Sequence, residues 1–332
     1  MSAIPAPAPR PGLLRTLAST RLTLAVLAVI AVAVVANAQV EGGTPAALAG
    51  AFGLGAANLA AALVVQARLR ADLALFVFHL ALLALLGLAA AGRLMALDGT
   101  VELAQGEIFD GQLLTREAGP LHRDRLARLR FVNDGFTIDY APGVKRGRTA
   151  NDVRVFGDDG GVTRHVIGDI DPLVLDGYRF YTTSNKGFAT LFRWVPRGGR
   201  APERGAVHLP SYPLNAHRQA QSWRIPGTAR EAWVMLEMAR EPIESGRPSR
   251  FQLPESHRLV LVLGDERREL RPGDSAATPE GVLVYEGLTA WMGYRVYYDP
   301  TLPWLLASAL IAVGALAAFY VRRFRVPAGA GA

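Results

Sequence analysis

The sequence predicts a membrane α + β protein: four transmembrane helices with a large β-rich, sandwich- or barrel-like extracytoplasmic domain between helices 3 and 4. Three observations predict it. Four long stretches carry no Asp, Glu, Lys or Arg. The region between the third and fourth runs in short alternating segments bounded by turn residues. The excess positive charge flanks the apolar stretches instead of lying between them.

A membrane helix takes about 20 mostly apolar residues to cross about 30 Å of hydrocarbon. The stretches are Leu22–Ala38, Pro45–Val65, Leu73–Ala91 and Leu302–Val321. Asn58 is the main polar interruption of the second, and His79 is the one ionisable residue of the third. The mean hydropathy of the 332-residue chain is only +0.18, so a sizeable polar region dilutes these spans. Ala47, Ala51 and Gly55 recur every four residues in the second stretch. That spacing lets helix backbones approach closely; chance in an alanine-rich stretch gives the same row.

The net charge of +7 has a location. Residues 96–300 hold 27 basic and 27 acidic residues. The excess comes from Arg10, Arg15, Arg21, Arg68, Arg70, Arg93, Arg322, Arg323 and Arg325. A nucleic-acid footprint needs a basic patch on a folded domain, so no nucleic-acid partner is expected. Lys and Arg stay on the cytoplasmic side of short membrane loops. Alternation from a cytoplasmic N-terminus then places eight of these arginines inside and leaves Arg93 near the outer end of the third helix. The Gly42-Gly43-Thr44 turn and everything from about Leu94 to Pro300 lie outside. The expected organisation is a cytoplasmic tail (1–21), a three-helix region (22–94), the extracytoplasmic domain (95–300), a fourth helix (301–322) and a cytoplasmic tail (323–332), in a multi-pass plasma or inner membrane protein. Ala36-Asn37-Ala38 after an apolar run also fits a signal-peptide cleavage site. Cleavage there leaves the remaining orientation unchanged.

In the domain, Phe136, Ile138 and Tyr140 alternate with Thr137 and Asp139, the period of a half-buried strand. Val153–Phe156, Arg179–Thr182, Leu259–Leu263, Val282–Tyr285 and Tyr294–Tyr298 read as further short strands. Asp134-Gly135, Asp158-Asp159-Gly160-Gly161, Asp176-Gly177, Pro272-Gly273-Asp274 and Pro279-Glu280-Gly281 read as turns. Arg197–Gly205 reads as an exposed loop that divides the domain into two lobes. The ends, Ala3–Pro11 and Pro327–Ala332, read as disordered.

The chain has no cysteine. That excludes disulfides, thiolate metal sites, covalent haem attachment and CxxC redox chemistry. GxSxG, HExxH and GxxxxGK[ST] are absent, so no catalytic residue is assigned. The domain histidines, His122, His165, His208, His217 and His257, have no metal-ligand spacing. Arg116, Arg123, Arg125, Arg128 and Arg130 form a basic run interrupted by Glu117 and Asp124, the pattern of a solvated face. A β-rich domain without a catalytic constellation reads as a binding platform.

Three stretches carry a resemblance. One is Phe76-Val77-Phe78-His79-Leu80 followed by Leu97-Asp98-Gly99-Thr100-Val101-Glu102-Leu103-Ala104-Gln105-Gly106-Glu107. The second is Ile167 to Thr183, with Asp171-Pro172-Leu173 and Gly177-Tyr178-Arg179-Phe180-Tyr181. The third is Tyr298-Asp299-Pro300-Thr301-Leu302-Pro303-Trp304. In this order, with three helices, a domain and one helix, they resemble the ResB-like family of cytochrome c biogenesis. Thr182 and Asp171 depart from the glutamine and histidine common in the family at those places.

The resemblance implies an accessory subunit of a haem export and attachment complex, with no catalytic site of its own. Its implied partners are a CcsA/ResC-like membrane subunit, apocytochrome c and an extracytoplasmic thiol reductase. Its implied cofactor is haem b, bound non-covalently and shared with the partner subunit. By position His79 is implied as an axial ligand to the haem iron, with Phe76 and Phe78 available to pack on the porphyrin. An ionisable side chain within a span usually faces a bundle interior or pathway. A single histidine makes only half of a bis-histidine site. A membrane-anchored binding or sensor module without haem is the alternative.

Overall fold

A computed structural model describes residues 12–39, 45–157 and 159–325, Arg325 by its backbone alone. The expectations for the Gly42–Thr44 turn, Asp158, Arg10 and the ends Ala3–Pro11 and Pro327–Ala332 lie outside the described residues. The described residues form five α-helices: α1 (Leu13–Leu17), α2 (Thr20–Gln39), α3 (Pro45–Val65), α4 (Leu73–Met95) and α5 (Leu302–Arg325). The strands are β1 (Leu97–Ala104), β2 (Thr115–Ala118), β3 (Phe131–Ala141), β4 (Lys145–Phe156), β5 (Val162–Ile167), β6 (Leu173–Leu175), β7 (Tyr178–Pro196), β8 (Glu203–His208), β9 (Ala220–Arg224), β10 (Glu231–Met238), β11 (Ser249–Arg250), β12 (His257–Leu263), β13 (Glu266–Leu270), β14 (Ser275–Thr278) and β15 (Gly281–Tyr298). Two compact units result. One holds the helices with residues 117–123, and the other holds residues 99–116 and 124–297.

Among the described residues four helices, α2 to α5, are long and apolar enough to cross a membrane. Within their unit, α3 packs against α1, α2 and α4, and α4 packs against α5. Helix α3 takes the centre because its small residues allow it. Ala51 and Gly55 are buried, and a Cβ on Gly55 would come within 3.1 Å of Ile30 on α2. Ala47, the third member of that row, is exposed.

The ends of α4 and α5 are tied by polar groups. Asp72 caps α4, accepting from the backbone N–H of Ala74 and Leu75 at 2.8 and 3.1 Å, which occupies two of the four donors a helix start leaves open. Arg322 of α5 reaches the same carboxylate at 3.2 Å. At the opposite end, Asp299 accepts from the N–H and hydroxyl of Thr301 at 2.8 and 2.7 Å. That cap sits against Gly92 of α4, where a Cβ would lie 2.8 Å from the Thr301 hydroxyl. The helices are therefore antiparallel.

The second unit is built from three sheets whose described pairings are all antiparallel. A seven-stranded sheet runs β2-β1-β15-β7-β6, with β14 added to β15 and β8 to β7. Two four-stranded sheets run β13-β12-β10-β9 and β11-β3-β4-β5. Phe188, Phe192 and Trp194 of β7 share a core with Leu259 and Leu261 of β12 and Ile138 of β3. A second knot gathers Phe109, Phe131, Phe180 and Tyr294, with Phe109 stacked on Phe131 and the other pairs edge-to-face, centroids 5.1–5.8 Å apart. A buried polar chain runs through this unit. The Tyr294 hydroxyl donates to Asn151 Oδ1 at 2.7 Å, and Asn151 Nδ2 donates to Asn133 Oδ1 and the Gly135 carbonyl, both at 2.8 Å. Asn133 Nδ2 donates to the Leu103 carbonyl at 2.9 Å.

Three expectations need correction. Asp134-Gly135 is not a turn, because β3 runs through it with a register shift between Asn133 and Gly135. Asp134 is held across the pair by Arg154 at 2.7 Å, and Gly135 takes φ +119° at this bulge. Val282–Tyr285 and Tyr294–Tyr298 are parts of one strand, β15, which absorbs two register shifts against β7 and stays paired. Arg197–Gly205 does not separate two lobes. It closes a hairpin, because Ala189–Trp194 of β7 pair with Glu203–His208 of β8, and Glu203 to Gly205 already belong to β8.

Candidate functional site

Helix α4 brings His79 into the helical unit six residues after Leu73, about 9 Å along the axis. The ring is half-buried. Its Nδ1 lies 2.7 Å from the Leu75 carbonyl one turn earlier. A carbonyl oxygen only accepts, so Nδ1 carries the proton and Nε2 presents a lone pair. No described residue meets Nε2. An imidazole whose first nitrogen is oriented by a backbone carbonyl is arranged as metal- and haem-ligating histidines are.

His79 lines a groove of about 650 Å³ formed by α2, α3 and α4. Ligand sites span about 300–1,000 Å³ and are mostly apolar with a few placed polar groups. The groove has that character. Leu82, Leu86 and Ala89 continue the His79 stripe along α4, Val26 and Ile30 face them from α2, and Gly55 contributes from α3. The stripe follows from helical geometry, since residues three, four and seven apart share a face.

Phe76 and Phe78 are not among the lining residues. Phe78 is one residue from His79 and so points about 100° away around the helix. It meets the imidazole edge-on instead, with ring centroids 5.3 Å apart. Expected porphyrin packing by these two rings has no support in the groove's lining.

Most other polar groups of the lining are already engaged. Asn58, 3% exposed, donates from Nδ2 to the Leu17 carbonyl at 2.6 Å and accepts from the Thr23 hydroxyl at 2.9 Å. Gln66 donates to the Ala18 carbonyl at 2.9 Å. The two amides thereby satisfy carbonyls at the end of α1, a helix the hydropathy pattern does not reveal. Arg68, in the 3₁₀ turn Ala67–Leu69, is the single charged residue lining the groove.

The second unit assembles one group that spacing alone missed. His208 Nδ1 lies 3.1 Å from Glu102, to which Asn185 also donates at 3.0 Å. The imidazole stacks on Trp291 at 5.1 Å and 9°. Its Nε2 is buried without a hydrogen-bond partner. Glu102 and His208 are 106 residues apart, so only the pairing of strands joins them. His257 contacts the Tyr285 hydroxyl at 2.8 Å, and burial lowers its pKa. Among the described residues no three His, Asp or Glu gather as a metal site. In the basic run, Arg116 pairs with Asp124 at 2.8 Å and Arg125 with Asp176 at 3.0 Å.

Residues 69–221 match the model of the ResB-like family, a little under half of the chain. The resemblance read from the motifs is therefore borne out over α4 and the first half of the strand unit. No curated protein matches the chain. A solved chain named "Cytochrome c Heme Lyase CcmF" matches at 16% identity with a TM-score of 0.27, covering 94% of this chain and 36% of that one. This chain thus spans about a third of that protein's length, and a likeness this weak carries no argument.

Proposed function

We propose, from the ResB-like match over residues 69–221 and the groove lined by His79, that this chain is an accessory membrane subunit of a cytochrome c assembly complex. In this reading it binds haem b non-covalently within the helical unit and presents haem or apocytochrome c outside the membrane. The flanking arginines favour cytoplasmic termini and an extracytoplasmic strand unit. The observation that carries the reading is the unpartnered Nε2 of His79 in a largely apolar groove.

When bound, haem would supply an iron centre that takes imidazole nitrogen ligands. The chain's own contribution is specific. The Leu75 carbonyl fixes the tautomer, His79 offers one ligand, and Leu82, Leu86, Val26 and Ile30 exclude water. A CcsA/ResC-like subunit would supply a further ligand to the iron, since the groove's lining holds one histidine. Apocytochrome c and an extracytoplasmic thiol reductase are the remaining proposed partners.

The decisive experiment is the visible spectrum of the complex purified with wild-type chain and with His79→Ala. The wild type is expected to carry a Soret band and the variant to lose at least nine-tenths of it, with both chains equally abundant in the membrane. Unchanged haem in the variant overturns the reading. One observation favours a second reading, a membrane-anchored binding or sensor module without haem: the Leu75 bond already satisfies one ring nitrogen. That reading predicts no Soret band and normal c-type cytochromes in a deletion strain.

A further inference from the structure

We infer that Arg68 binds the anionic edge of the groove's ligand, the carboxylates of a metalloporphyrin whose metal faces His79. The inference rests on the haem reading above and adds an orientation to it.

The groove's polar inventory leads there. Asn58, Thr23 and Gln66 are committed to one another or to α1 carbonyls. Three side chains of the lining remain able to meet a ligand, Nε2 of His79, the Thr20 hydroxyl and the guanidinium of Arg68, and of these only Arg68 carries a fixed positive charge. Arg68 donates from Nε and Nη2 to Gln66 Oε1 at 3.2 and 3.0 Å. Gln66 is in turn held by the Ala18 carbonyl, so a neutral relay positions the guanidinium without cancelling its charge. Nη1 has no partner among the described residues. Asp72, the acid of this turn, is taken up by the α4 cap and by Arg322.

Chemistry then narrows the occupant. A guanidinium fork suits carboxylates, often in two parallel bonds. The ligand needs an apolar body, an anion at the α3–α4 turn, and a Lewis acid at a depth near His79, about 9 Å into α4. An anionic phospholipid satisfies the first two requirements but offers nothing to an imidazole lone pair. An iron porphyrin satisfies all three.

The test is a Soret titration of the full chain in nanodiscs of zwitterionic lipid, with haem b and with its dimethyl ester, which lacks the two negative charges. Wild type, Arg68→Gln, Arg68→Lys and His79→Ala are compared. Arg68→Gln is expected to weaken haem binding about tenfold and leave the ester unchanged. Wild type is expected to bind the ester about as weakly as Arg68→Gln binds haem, and Arg68→Lys to fall between. Equal haem affinity in wild type and Arg68→Gln overturns the inference while His79→Ala still reports on the haem reading. An equal loss for both ligands also overturns it, because it marks Arg68 as structural. Phosphatidylglycerol competing through Arg68 while haem affinity ignores the substitution assigns the arginine to lipid and overturns it too. Absence of a wild-type Soret change overturns this inference, while the spectrum of the purified complex still reports separately on the haem reading.

Discussion

The helical unit and the strand unit meet the same hydrophobic requirement with opposite surfaces. On α2 and α5 the large apolar side chains point outward: Val32 and Val313 are each 68% exposed. In the strand unit Phe109, Phe131, Phe180 and Tyr178 are fully buried. The first arrangement is stable only where the surroundings are as apolar as the side chains. The second stores its apolar area inside, as a water-facing domain must. Polar groups divide accordingly. The helical unit uses a few of them at helix ends and junctions, while the strand unit runs a continuous buried chain from Tyr294 to Leu103.

The sharpest test of that difference is Asn151→Leu. It leaves the Tyr294 hydroxyl without its acceptor and takes one donor each from the Gly135 carbonyl and from Asn133 Oδ1, which keeps the Gly135 N–H at 3.0 Å. A loss of about 3 kcal/mol or more is expected. Denaturant melts of the full chain in micelles, followed by the strand unit's tryptophans, should show it while helix content persists. Simultaneous loss of both signals would dissolve the contrast between the units.

A middle-sized effect is expected at Lys186. This lysine is 3% exposed, with Nζ 3.3 Å from the Ser184 carbonyl. Burial, reinforced by Arg146 and opposed by Asp169, pushes its pKa down to about 8. The folded lysine therefore releases its proton near pH 8, whereas an unfolded one holds it to about 10.5. Between those values the unfolded chain binds more protons, so stability rises with pH. Higher up, Tyr212, raised to about 12 by burial, acts the other way: unfolding releases its proton, and stability falls. Lys186→Met should stabilise the unit near pH 7 by roughly 2 kcal/mol and flatten the rise above pH 8. An unchanged rise in the variant would assign it to other groups.

The smallest effect belongs to the helical unit. Asn58→Leu removes two hydrogen bonds that pin the α1–α2 junction to α3. Side-chain hydrogen bonds within membranes average about 0.6 kcal/mol, so about 1 kcal/mol is expected. Faster amide exchange near Ala18 to Thr23 with α3 unchanged would show it. Global unfolding of the bundle would instead make the membrane unit as dependent on buried polar groups as the strand unit.

The spans were legible because length and lack of charge are local properties. Leu73 marks the start of α4 in both sequence and structure, since the apolar run begins there; the Asp72 cap that fixes this start was visible only in the structure. The strands of the domain were legible as segments but not as lengths. A bulge such as that at Asp134-Gly135 spells the same dipeptide as a turn, and only Arg154 across the pair decides between them. At the candidate site, His79 stood out by its cost in lipid. The engagement of its Nδ1, the companion stripe of Leu82 and Leu86, and the turning aside of Phe78 needed the helix and its neighbours.

The sequence alone determined the four apolar spans, the charge asymmetry around them, the strand-rich character of the region between, and the motifs that resemble the ResB-like family. Hydrophobic length, charge placement and alternation are properties of neighbouring residues, and they survive without a partner. Tertiary structure alone decided which side chains meet: Arg68 and His79 along one groove, Glu102 beside His208, and the asparagine chain beneath Tyr294. Those meetings join residues up to 143 positions apart, and no local pattern encodes a contact that exists only once helices and strands have packed.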